Sequence, residues 1–228
     1  MPATPGGEVV GVSEGKKLVA KAIISGIRRE PLVTPAMITL IVKYASEFLR
    51  KMGVEGEVKT LEELEELILR GFNRVENPHQ ALVYGIGKAE SELMGATEGA
   101  ISKRIGKEAT KSLAESLGLL RSLGRAESVY EALQKYKELL VSIGFIKEED
   151  VFIAEEKEGV LVSVSGDCPY IKACVKMEED GIFTFFGSTP CARLLAFAGI
   201  AEALTGKTLD LEKIEYNPPN CTFRIFEV

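Results

Sequence analysis

Thiols are the side chains of this sequence best suited to chemistry, and all four, Cys168, Cys174, Cys191 and Cys221, lie beyond Asp167. A thiolate is a nucleophile, a soft-metal ligand and a disulfide former, so this clustering is one signature of a thiol-specific site. The spacing is C-x5-C followed by long gaps, not the paired C-x2-C knuckles that mark zinc sites. Small buried hydrophobes, a disulfide and a metal site are therefore three open readings. Cys191 carries the most information. It follows Thr189-Pro190 in what reads as the first turn of a helix, where unpaired N–H groups and the helix dipole favour a thiolate.

The other reactive residue types gather nowhere. His79, the only histidine, follows Asn77-Pro78 and reads as an exposed or capping residue; no pattern supplies it with a nucleophile and an orienting acid. Ser165-Gly166-Asp167 has the composition of a β-turn, and Gly85-Ile-Gly87 lacks the third glycine and preceding strand of a dinucleotide fingerprint. Lys103, Arg104, Lys107 and Lys111, offset by Glu98, Glu108 and Glu115, read as a solvated helix face. So do Glu62, Glu63, Glu65 and Glu66, since paired carboxylates do acid–base work only where burial splits their pKa values. An enzyme is thus the least supported class.

The elements that must position the thiols follow from periodicity. Ala20, Ile23, Ile24 and Ile27 mark a helix closed by Pro31, and Thr34-Pro35 starts a second that Gly53 ends. Thr60 with Glu63 has capping-box spacing, ahead of a stripe of Leu61, Leu64, Leu67, Ile68 and Phe72. A helix-favouring region from His79 to Leu117 is interrupted by Gly85, Gly87, Gly95, Gly99 and Gly106, which serve close helix packing or leave room for a ligand. A further helix is expected from Ala126 to Ile143, with Val129, Leu133, Tyr136, Leu140 and Ile143 on one face.

Beyond Gly144 the signals turn to β: Val151–Ala154, Val160–Val164, Ile182–Phe186, and a closing pair around Asn217-Pro-Pro-Asn220. The Asp180-Gly181 turn favours a strand over Tyr170–Met177 as well. A nearly uncharged helix runs from Thr189-Pro190 to Gly206. The expected fold is α+β: a helical N-terminal half, then an antiparallel sheet crossed by one buried helix.

Within that frame Cys168-Pro-Tyr170, Pro190-Cys191, the Ala198–Lys207 stretch and Cys221-Thr-Phe223-Arg-Ile225 occur in an order that resembles the 4-vinyl reductase domain family of small-molecule (hydrocarbon) binding proteins. The segment from Gly95 to Glu108 looks like the family's glycine-bearing first helix. The resemblance spans residues 77–228 and leaves 1–76 as a helical N-terminal extension. It implies a fold shared with nitric-oxide-sensing and vesicle-tethering proteins, a homodimer, and an interior pocket for a small apolar ligand. Tyr84, Met94, Gly95, Gly99, Phe183, Phe185 and Phe197 are the residues expected to line it. Phenol-sensing relatives hold zinc with three cysteines and a glutamate, which maps here onto Cys191, Glu215 and Cys221. One family cysteine is missing, because the intervening loop reads Tyr216-Asn-Pro-Pro-Asn220 and is shorter. A similar cysteine order in iron–sulfur-sensing repressors implies Cys168, Cys191 and Cys221 around a cluster, with Cys174 as a fourth ligand. The function expected is a non-enzymatic sensor for a small apolar ligand; the alternative is a cysteine-ligated zinc or iron–sulfur protein, or a redox sensor.

Composition sets the outer bounds. Hydrophobic residues make up 46% of the 228 positions and charged residues 27%, which excludes a disordered chain. The net charge of −6 argues against general binding to nucleic acid. No apolar run approaches the roughly 20 residues that span a bilayer, and no secretory signal precedes Glu14, so a cytoplasmic protein is expected. Abundant Lys and Glu with Gln only at Gln80 and Gln134 match a thermophile's bias.

Overall fold

The computed structural model describes residues 12–95, 99–182 and 191–228. Met1–Gly7, Glu98, the expected strand residues Phe183–Phe186 and Thr189-Pro190 lie outside them.

Local chemistry starts the first helices where the sequence places them. α1 (Val12–Arg29) buries Ala20, Ile23, Ile24 and Ile27. α2 (Pro35–Lys51) begins at Thr34, whose hydroxyl accepts the Met37 N–H at 3.2 Å. α3 (Leu61–Gly71) carries the complete capping box: Glu63 N–H donates to the Thr60 hydroxyl and Thr60 N–H to the Glu63 carboxylate, each at 3.2 Å.

The glycine-rich region divides into α4 (Gln80–Met94) and α5 (Ala100–Ser116). Gly95 ends α4 at φ +65° and Gly99 precedes α5 at φ +68°, left-handed backbone that costs glycine little. The buried Glu90 carboxylate, one turn before the end of α4, accepts the N–H groups of Ile101 and Ser102 at 2.9 Å each. A fixed negative charge thereby meets the positive end of α5 and locks the two helices across the break. Gly85 serves close packing, since a Cβ there would stand 2.9 Å from the Ile41 carbonyl of α2.

Then come α6 (Leu119–Leu123) and α7 (Val129–Ser142). Ile143, expected on the packed face of α7, caps the helix and is exposed. β1 (Val151–Glu156), β2 (Gly159–Val164), β3 (Leu209–Asn217) and β4 (Asn220–Glu227) make one antiparallel sheet in the order β1-β2-β4-β3. Alternation points Val160, Val162 and Val164 of β2 and Cys221, Phe223 and Ile225 of β4 to the same, buried face. α9 (Ala192–Thr205), apolar on all sides, packs on that face, so the α+β architecture is as expected.

One element differs. Tyr170–Met177, expected as a strand, is part of α8 (Ile171–Glu179). Asp180-Gly181 stops a helix as readily as it turns a hairpin: Asp180 N–H bonds the Lys176 carbonyl at 3.1 Å and Gly181 N–H that of Glu178 at 3.0 Å. Tertiary contact decides for the helix. Ala173, Cys174 and Met177 are buried among the helices, and the Gln80 side-chain carbonyl of α4 accepts the Ala173 N–H at 3.1 Å.

Two apolar cores result. The helical core combines α1–α5 with α8, so residues on both sides of position 77 share it. The second lies between the sheet, α7 and α9. α5 joins them, because Gly106 and Gly199 let α5 and α9 approach until Gly199 would place a Cβ 2.8 Å from the Lys107 carbonyl. Glu202 of α9 is buried there and accepts from Lys107 at 2.7 Å, from Lys111, and from the Leu209 N–H at 2.9 Å. Burial opposes its charge, yet the two ammonium groups hold its carboxyl below the usual range. The basic row of α5 is therefore not a solvated face: Lys103 and Lys107, with side chains 12% and 14% exposed, tie α5 to Asp210 and Glu202. Among the described residues no helix is long and apolar enough to cross a membrane.

Candidate functional site

The seam between the two cores is where the cysteines meet. Cys191 is the N-cap of α9, one position before the first turn in which the sequence had placed it. Cys221, on the buried face of β4, pairs with Val164 of β2 and Tyr216 of β3. Both thiols are buried, and each bears on the titration of the other. The N–H groups of Leu194 and Arg193 face the Cys191 sulfur; they make no regular cap bond, but their dipoles favour an anion. The neighbouring Cys221 thiol and these dipoles together outweigh burial, so Cys191 is drawn below the usual thiol range. Cys221 is held well above it, by Cys191 and by burial.

The remaining cysteines flank this pair. Cys174, on the buried side of α8, is pushed up to about 12 by burial and by the charge of Cys191, against a weaker opposing bond from Tyr216. Cys168 is half-buried; burial raises it, the Tyr170 N–H opposes that, and it feels Cys191 and Arg193. Arg193 also donates to the Ser165 carbonyl at 2.8 Å, which fixes the turn before Cys168 against α9. Tyr216 packs against both cores. Its hydroxyl is buried, has no partner of regular hydrogen-bond geometry among the described residues and faces the Cys174 thiol. All four cysteines are free thiols.

Of the residues expected around an apolar pocket, the described ones are spread over different parts of the fold. Tyr84 belongs to the helical core, stacked on Phe48 at 4.9 Å with its hydroxyl donating to Asp180 at 2.6 Å. Phe197 belongs to the sheet core, edge-on to Tyr136 at 5.0 Å. Met94 is 49% exposed, and a Cβ on Gly95 would meet nothing within 4 Å. Gly99 is the N-cap of α5; Phe183 and Phe185 lie outside the described residues. Glu215, implied as a metal ligand, is exposed on β3. A depression of about 380 Å³ does exist, but it is lined by Arg104, Lys107, Lys111, Glu202 and Lys207 and contains none of these residues.

For a metal, the donor chemistry at Cys191 fits and the donor number does not. Among the described residues no three or more His, Cys, Asp or Glu side chains gather at metal-holding distance. The thiol pair alone supplies two of the four ligands that structural zinc takes.

Sequence reasoning missed two neighbours of this site. Tyr216 was readable only as part of the hairpin loop, although the register that opposes it to Cys221 follows directly from the Asn217–Asn220 turn. His79, expected to be exposed or to cap a helix, stands at the N-cap position of α4 without a side-chain cap bond and is 2% accessible, stacked on Phe72 at 5.7 Å and edge-on to Tyr170 at 5.3 Å. Neither contact is local: Phe72 caps the end of α3 and Tyr170 belongs to the Cys168-Pro-Tyr170 motif. Set against known proteins, the chain matches no family model and no curated sequence, so the 4-vinyl reductase resemblance rests on the short motifs quoted above.

Proposed function

We propose that the chain is a non-enzymatic binding protein that holds a small, mostly apolar ligand at the seam between its helical and sheet cores. The observation that carries this reading is the Tyr216 hydroxyl, a buried polar atom that has no hydrogen-bond partner among the described residues and faces a thiol. Leaving a hydroxyl unpaired in such surroundings costs about 1–3 kcal/mol. A ligand presenting one acceptor oxygen to Tyr216 recovers that cost, and its apolar remainder suits the residues packed on either side. Acid–base groups do not gather at the seam, which is why binding is favoured over catalysis.

The test is thermal unfolding of the full chain with cyclohexanone, which offers one acceptor, and with methylcyclohexane, which offers none. Any ligand that prefers the folded state raises the melting temperature, by about 2.7 kcal/mol of stability at a hundredfold excess over Kd. Cyclohexanone is expected to raise it more than methylcyclohexane, and Tyr216→Phe to erase the difference. Equal or absent shifts, with no small molecule retained in native mass spectra, overturn the reading. A second reading, a thiolate-bound zinc or iron–sulfur centre, is favoured by the anion-stabilising surroundings of Cys191. Elemental analysis of the same sample tests it: about one metal per chain with protected thiols would put that reading first.

A further inference from the structure

We propose that the depression between α5 and the loop following α9 binds the phosphate group of a small soluble phosphate ester or diphosphate, at a site separate from the thiol seam. The proposal goes beyond the binding reading given above and holds whichever ligand the seam takes. The depression measures about 380 Å³, within the roughly 300–1,000 Å³ of small-molecule sites. Four cations, Arg104, Lys107, Lys111 and Lys207, line it against a single carboxylate, Glu202. A chain of net charge −6 thus concentrates positive charge in one concave wall. Thr208 adds a hydroxyl at its rim.

Two segments bring these groups together. Arg104, Lys107 and Lys111 recur on α5 at three- and four-residue spacing, which places them on one face. Gly206 ends α9 in left-handed backbone, φ +72°, and turns the chain so that Lys207 and Thr208 enter the same wall. The cations are held in place before any ligand arrives. Buried Glu202 takes Lys107 on Oε1 at 2.7 Å and Lys111 on Oε2, and Lys107 also donates to the Leu209 carbonyl at 2.6 Å. One carboxylate between two ammonium groups leaves a positive charge uncancelled. Arg104 is anchored through Nε to the buried Glu30 at 2.9 Å, and its Nη1 and Nη2 groups make no hydrogen bond to a described residue. Those two nitrogens form the fork that matches two oxygens of a phosphate. Lys207 pairs with Glu227 at 2.7 Å, with side chains 37% and 56% exposed, a contact that water screens and an anion displaces. Cations fixed in advance lower the ordering cost of binding. The overall negative charge repels the extended polyanions of nucleic acid and acidic membranes, which restricts the ligand to a small soluble one.

The test is isothermal titration calorimetry of the full chain with inorganic pyrophosphate in about 0.15 M sodium chloride, where exposed charges beyond about 8 Å are screened. One site per chain is expected, with an affinity that falls as the chloride is raised. Lys207→Glu should weaken binding about tenfold or more, since it reverses a charge in the wall. It leaves the Lys107–Glu202–Lys111 cluster intact, because the Lys207 ammonium pairs only with the exposed Glu227 among the described residues. Arg104→Lys keeps the charge and removes the fork; it should weaken binding several-fold and keeps the test valid should Lys207→Glu fail to fold. Lys51→Glu, on α2 and outside the depression, changes the net charge identically and should leave the affinity within about twofold. No heat of binding, equal weakening by Lys51→Glu, or unchanged affinity in the site variants overturns the proposal. None of these changes touches Tyr216, so failure here leaves the cyclohexanone comparison and the reading it tests standing.

Discussion

His79 illustrates how much a single residue can owe to tertiary structure. Its ring is enclosed by Phe72 and Tyr170, and its Nδ1 is buried without a hydrogen-bond partner among the described residues. Burial, helped by the charge of Lys16, lowers its pKa from 6.5 to about 4. Above pH 6.5 the folded and unfolded chains both carry it neutral, so it contributes no pH dependence there. Below that, the unfolded chain binds a proton that the folded chain refuses, and stability falls as pH falls until the folded pKa is reached. At 1.36 kcal/mol per unit the loss is about 2 kcal/mol by pH 5 and on the order of 3 kcal/mol when complete. Because this is the only histidine, urea unfolding between pH 7 and 5 isolates the effect. The wild type should lose stability across that range and His79→Phe, which keeps the stacking and removes the titration, should stay nearly level. Parallel slopes would mean that the ring is not held neutral.

At the scale of elements, glycines of one helix type predict opposite outcomes. Gly85 sits where α4 crosses α2, and an added Cβ would press on the Ile41 carbonyl at 2.9 Å and the Ala45 Cβ at 3.0 Å, backbone and short side chain that cannot swing away. Gly85→Ala gains up to about 1 kcal/mol of helix propensity but loses roughly 1–3 kcal/mol to overpacking, so chemical denaturation should record a net loss. Gly15 of α1 would place a Cβ within 4 Å of no described neighbour, and Gly15→Ala should be neutral or stabilising. Matching losses at both positions would contradict the close approach of α2 and α4. The same contrast explains what could be read from sequence. Helix starts at Thr34 and Thr60 were legible because side chain and backbone partner lie within three residues. The strand and helix alternatives for Tyr170–Met177 were not separable, because Asp180-Gly181 suits both endings and the deciding contact, Gln80 to Ala173, spans the chain. Of the site, the thiols and the N-terminal position of Cys191 were legible; the gathering of Cys191, Cys221, Cys174 and Tyr216 at one seam required the packing of α9 and α8, which no local pattern encodes.

Over the whole molecule, the question is whether the chain divides at position 77, where the resemblance begins. The packing crosses that point. Ile24 and Ile27 of α1, Ile41 and Leu49 of α2 and Leu64 and Ile68 of α3 are buried in the same core as Leu82 of α4 and Ile101 and Ile105 of α5. The polar contacts cross it too: Arg104 of α5 reaches the buried Glu30 at 2.9 Å, and Arg29 of α1 reaches Glu108 of α5 at 3.5 Å. A fragment of residues 77–228 would keep the thiol seam and the sheet core, yet would expose the apolar faces of α4 and α5. Large exposed apolar patches of that kind lead to association or to a loosened, dye-binding state. The fragment is therefore expected to show helical far-ultraviolet signal with strong 1-anilinonaphthalene-8-sulfonate binding and a broad thermal transition, against a sharp one for the full chain. A sharply unfolding, dye-free fragment would instead establish residues 77–228 as a self-sufficient unit, with the first three helices docked upon it. Because Cys174 belongs to the helical core and Cys191 to the sheet core, loss of the first three helices should also raise the rate at which Cys174 alkylates, while the Cys191–Cys221 pair, seated between α9 and β4, stays protected.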